Sequence, residues 1–165
     1  LMDIQYRELL QDMQSRIHWF IIGKLEDMKM PAYDESYLDG MITKTRYLFK
    51  LIGRNCSDPF LAIASYMKSE YRKYMDMGNP MYLNKTPKQI MEELDIKIQN
   101  DCEISEKFDE FILEWMADIY VYMQWKYDLS SAEIIEKTTP ESLYQKYYPL
   151  HETSIENGVR KLLSK

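Results

Sequence analysis

Glycine and proline are scarce in this chain, with five and six among 165 residues. A β-sandwich or barrel needs turn residues every ten positions or so, and this sequence does not supply them. Cysteine is scarcer still. Cys56 and Cys102 are far apart and form no Cys-x-x-Cys pair, which excludes a disulfide framework and predicts ordinary thiols in a reducing cytoplasm. Histidine is represented only by His18 and His151. Neither stands at a chelating distance from the other or from a cysteine, and no Glu lies three residues before either, so no zinc or di-iron site is predicted. Long apolar runs are missing as well. The longest, Trp19-Phe20-Ile21-Ile22 beside His18, falls far short of the ~20 residues that span a bilayer. Asp3, Arg7 and Glu8 speak against a signal peptide in the first ten residues. No GxxxxGK or GxGxxG loop, no nucleophile elbow and no Gly-rich turn beside either cysteine is present, so no catalytic residue, cofactor or metal is assigned.

What the chain has is helical periodicity. Hydrophobic residues make up 45% and charged residues 29%, a composition able to bury a core. Tyr6, Leu9, Leu10, Met13, Ile17, Phe20, Ile21 and Leu25 recur at steps of three and four, predicting an amphipathic helix over 3–28 that ends before Pro31. A second helix is expected from Glu35 to Ile52, with Gly53 as its left-handed stop. Asp58-Pro59 opens a third that runs to Gly78. Gly78-Asn79-Pro80 is the clearest break, and 78–86 is the expected seam if the single domain has two lobes. Thr86-Pro87-Lys88-Gln89 and Ser130-Ser131-Ala132-Glu133 are capping boxes. Ser105 is expected to start the most apolar and most central helix, with Phe108, Phe111, Trp115 and Ile119 directed inward. Short helices follow to the C-terminus. The predicted fold is an all-α bundle of about five main helices plus short C-terminal ones.

Charge is uneven. Residues 1–85 carry 12 Lys/Arg and 11 Asp/Glu, whereas 86–165 carry 9 and 16. The acidic half counts against nucleic acid, whose phosphates need clustered cations. Glu103 is followed by Glu106, Glu110, Glu114 and Asp118, the last four spaced by four and therefore along one helix face. Such a face is either solvated or a docking strip for a basic protein partner. A basic-aromatic stretch, Lys68 with Tyr71-Arg72-Lys73-Tyr74, keeps a nucleic-acid contact open. A helix-turn-helix over 129–148 has only Lys146 on its recognition helix, between Glu141 and Glu152.

The segment Tyr127-Asp128-Leu129-Ser130-Ser131-Ala132-Glu133-Ile134, followed by Tyr147-Tyr148-Pro149-Leu150-His151-Glu152, resembles a family of small bacterial helical proteins. In these a helix leads to an S-x-x-E-[IV] turn and then a Y-x-x-L-H segment. The resemblance covers the last third of the chain. Members are encoded beside proteins that look like ADP-ribosyltransferases, an arrangement resembling toxin–antitoxin pairs. The resemblance implies an accessory or antitoxin-like role in a bacterial or mobile-element operon. It carries over no catalytic residue, and it draws attention to Tyr148, Leu150 and His151 as partner-binding positions. The sequence as a whole therefore predicts a non-catalytic protein-interaction module. A homo-oligomer stays open, as do two alternatives: a DNA-binding regulator with a basic surface built from the N-terminal half, and an enzyme with a pocket holding His151, paired with Cys56 or Cys102, or two carboxylates.

Overall fold

The structure, a computed structural model, describes residues 2–95 and 108–164, with only the backbone described for 2–5, 22 and 25–27. The described residues form eleven α-helices and no strand, an all-α fold. They divide into two compact units, residues 1–30 and 31–165.

The first unit is one helix, α1 (Met2–Asp27). Its 26 residues extend about 39 Å at 1.5 Å per residue.

The second unit starts with a strap. The Ala32 amide donates to the Trp125 carbonyl at 2.9 Å, and the Trp125 indole donates to the Tyr33 carbonyl at 2.8 Å. Asp34 then caps a 3₁₀ turn over Glu35–Tyr37, which leads into α2 (Leu38–Asn55). α2 does not stop at Gly53. It runs two residues further, and Gly53 lies against α7: a Cβ there would stand 2.4 Å from Leu113 Cδ1. The glycine is needed for helix approach and not for a turn.

The expected third helix is two helices. α3 (Pro59–Lys68) and α4 (Glu70–Asp76) meet at Ser69, which has extended backbone. Its hydroxyl accepts from the Arg72 amide at 3.1 Å and donates to the Tyr66 carbonyl at 2.7 Å. That pair of bonds satisfies backbone groups at the break, so the chain can turn without leaving them unmet. Gly78, at φ +72°, ends the following turn in the left-handed region. Asn79-Pro80 opens α5 (Pro80–Leu83), and the Thr86 capping box opens α6 (Pro87–Glu93).

α7 (Glu110–Tyr127) is the central helix. Its start falls after the expected Ser105, which lies outside the described residues. It buries residues on every side, including Leu113, Met116, Ile119, Tyr120 and Met123, and pairs most extensively with α2 through Leu48, Phe49 and Ile52. Phe111, expected inward, is 74% exposed. Asp128 closes α7 in the left-handed conformation, and the Ser130 box starts α8 (Ser131–Lys137). α9 (Pro140–Gln145), α10 (Tyr147–Leu150) and α11 (Ile155–Leu163) complete the unit. Gly158 of α11 lets that helix approach α7, since a Cβ there would lie 3.3 Å from Ile119 Cδ1.

Candidate functional site: an exposed apolar helix face

α1 carries the largest run of exposed apolar side chains among the described residues. Tyr6, Leu9, Leu10, Met13, Ile17, Phe20 and Ile21 are between 42% and 66% exposed. At 100° per residue all seven fall within about 120° of the helix circumference, centred on Tyr6 and Ile17. Within that band Tyr6, Leu10, Met13, Ile17 and Phe20 follow steps of four, three, four and three, the spacing of a heptad seam. Lys24 stands on the same line one turn further on, with its ammonium 5.4 Å from the centre of the Phe20 ring. Asp12 and Arg16 form an i,i+4 ion pair of 3.0 Å along one flank. Trp19 lies on the opposite side of the helix and is also exposed.

The acidic strip of α7 has its counterpart within the chain. Arg46, Lys50 and Arg54 step by four along α2, and the two ladders run antiparallel. Arg46 binds both carboxylate oxygens of Asp118, at 2.6 and 2.7 Å. Lys50 Nζ is 2.7 Å from Glu114, and Arg54 binds both oxygens of Glu110, at 2.5 and 2.9 Å. The hydrogen bonds to Asp118 hold the Arg46 pKa above its ordinary value, and Glu110 does the same for Arg54. The cations expected on a separate basic protein thus meet these three carboxylates on the neighbouring helix. Glu103 and Glu106 lie outside the described residues.

The basic-aromatic stretch is also divided between core and surface. Arg72 is 1% exposed. Its Nε donates to Ser131 Oγ at 2.7 Å and lies 3.1 Å from Asp76 Oδ1, while Nη1 donates to Tyr66 Oη at 3.1 Å. Burial opposes the Arg72 charge, but Tyr66, Asp76 and Tyr33 around it keep its pKa raised. Asp76 in turn accepts from the Ser131 amide at 2.6 Å and the Ser131 hydroxyl at 2.7 Å, so it also caps the start of α8. Burial pushes the Asp76 carboxyl up, against the pull of Arg72 and the two Ser131 donors. Three buried atoms around this network, Tyr33 Oη, Arg72 Nη2 and Gln124 Oε1, have no hydrogen-bond partner among the described residues. Tyr71 is buried in the core, while Lys68 and Lys73 lie near Glu136 and Glu70 at 3.9 and 4.0 Å. Of the three cations in the stretch, Lys68 and Lys73 stay at the surface and Arg72 does not.

A cavity of about 850 Å³ opens beside the same network, between α3–α4 and the α7–α8 junction, with Asp76 and Gln124 in its wall. The Asp76 carboxylate is engaged by Arg72 and Ser131. Among the C-terminal positions, Tyr148 is 72% exposed, whereas Leu150 packs against the core and His151 stacks on Tyr147 at 4.4 Å. The His151 Nδ1 lies 3.1 and 3.0 Å from the Tyr147 and Tyr148 carbonyls. Cys56 is buried and its thiol pKa is pushed up by burial, while Cys102 lies outside the described residues. Among the described residues no group of three or more His, Cys, Asp or Glu is placed to hold a metal ion, and no helix is long and apolar enough to cross a membrane. Comparison of the chain with protein-family models, curated proteins and solved structures finds no match.

Proposed function

We propose that this chain is a non-catalytic interaction protein whose docking element is α1. The exposure of seven large apolar side chains in one band carries this reading. Contiguous apolar area of that kind marks an interaction surface, whereas single exposed apolar residues are ordinary. Each such side chain contributes roughly 1.5–3 kcal/mol when fully buried against a partner, and ordering costs offset part of that sum. The resemblance of the last third of the chain supports an accessory, antitoxin-like role, with Tyr148 as a second contact. The α7 carboxylates Glu110, Glu114 and Asp118 contribute to the fold in this reading, and Glu103 and Glu106 stay as candidates for steering a basic partner.

The test compares the wild-type chain with the double variant Ile17→Glu/Phe20→Glu. At concentrations low enough to keep the chain monomeric, the expected result is lower binding of an apolar dye by the variant, with loss of association with the product of an adjacent gene. Equal dye binding by the two chains, with the α1 amides exchanging slowly in both, would sink the proposal.

A further inference from the structure

We infer that α1 docks on α1 of a second copy of this chain, antiparallel, about a twofold axis through Met13. This rests on the reading of α1 as the docking element and names its occupant.

The spacing argues for a helical occupant. Steps of four and three return to one line every seven residues, a seam that fits one other helix lying nearly along it. A lipid surface would favour a broad basic face opposite the apolar one, and the side of α1 opposite the seam carries Glu8, Gln11, Ser15 and Trp19 instead.

The order of residues argues for a second copy. Tyr6 and Phe20 stand seven residues on either side of Met13, and Leu10 and Ile17 stand three and four away. The seam therefore reads aromatic, aliphatic, Met, aliphatic, aromatic from either end. A twofold at Met13 places Tyr6 against the other copy's Phe20, Leu10 against its Ile17, and Met13 against itself. Self-complementarity of this kind is what an isologous interface requires. Aromatic pairs then close both ends.

Charge sets the direction. A parallel, in-register pair would bring the two Lys24 ammonium groups together on the seam line, and the antiparallel pair sends them to opposite ends. The twofold also brings Arg16 of each copy to the flank that carries Asp12 of the other, extending the 3.0 Å pair already present in the helix. If wholly covered, the seven side chains, exposing roughly 100 Å² each, would bury about 1,400 Å² over two copies, within the standard interface range.

The experiment is light scattering on the full chain across concentration, with Met13→Lys and Met13→Leu. Twice the chain mass is expected for wild type and Met13→Leu. Met13→Lys, which sets two cations on the axis, should weaken the dimer at least tenfold. Cross-linking checks direction in a chain with Cys56 and Cys102 changed to Ala. Tyr6→Cys mixed with Phe20→Cys should give disulfide-linked dimers, and neither variant should do so alone. Dimers from either variant alone would overturn the antiparallel arrangement, and a dimer unmoved by Met13→Lys would overturn the seam. A monomer at every concentration overturns the inference. In that case, dye binding by wild type that Met13→Lys reduces leaves the docking reading standing with another partner, and dye binding by neither chain removes that reading too.

Discussion

α1 and α7 are the two long helices with the most apolar residues, and they meet opposite fates. α7 is covered on nearly every side, and even its charged face is matched by a ladder on α2. α1 shows its seam to solvent. Periodicity is alike in the two, so amphipathic pattern alone does not say whether a helix finds its partner in the same chain. What differs is the presence of a complementary neighbour. α2 offers α7 Gly53 for close approach and three cations in register.

The sharpest way to break the contrast is inside the second unit. Arg72→Met leaves Asp76 buried without its cation, and the expected loss is about 3–5 kcal/mol in urea unfolding. An unchanged midpoint would mean that the network is not closed as described. Alkali acts next. Burial pushes the Tyr33 hydroxyl from its ordinary 10.0 up to about 12. The unfolded chain therefore releases this proton first. The contribution is complete below pH 10 and is lost as pH rises towards 12, at roughly 1.4 kcal/mol per unit. Tyr33→Phe should flatten that part of the stability curve. Unfolding at pH 9 and pH 11.5 checks it.

The ion ladder should give smaller and graded effects. Arg46→Ala strips both bonds from the largely buried Asp118 and should cost on the order of 1–2 kcal/mol. The same change at exposed Arg54 should be hard to detect in thermal melts. Equal costs at the two ends would contradict the burial gradient along the ladder. The smallest effect is expected on the other side of the comparison. Ile17→Glu should leave the unfolding of residues 31–165 within about 0.5 kcal/mol of wild type. A larger shift would mean that α1 contributes to that core.

Much of the fold could be read from local chemistry. Asp58, Thr86 and Ser130 all cap helices, because a short oxygen-bearing side chain before a helical run has few other uses. Ser69 escaped notice because apolar periodicity continues on both sides of it, and Arg72 with it: a cation in a charged stretch reads as surface until the break turns it inward. The acidic ladder was legible and its mate was not. Arg46, Lys50 and Arg54 have the same four-residue spacing, but pairing them with α7 requires contacts across 56 to 72 residues, which no local pattern announces. The apolar band of α1 was equally legible, but its spacing does not say whether the band faces a core or water.

The three tryptophans fall on the two sides of that distinction. Trp115 and Trp125 sit in α7 with their rings buried, while Trp19 projects into water from the side of α1 away from the seam. Emission from this protein is therefore a mixture of blue-shifted and red-shifted light, and a soluble quencher reaches Trp19 well ahead of the other two. Because Trp19 stands off the seam, the molecule carries an intrinsic optical marker for α1 that a bound partner need not cover.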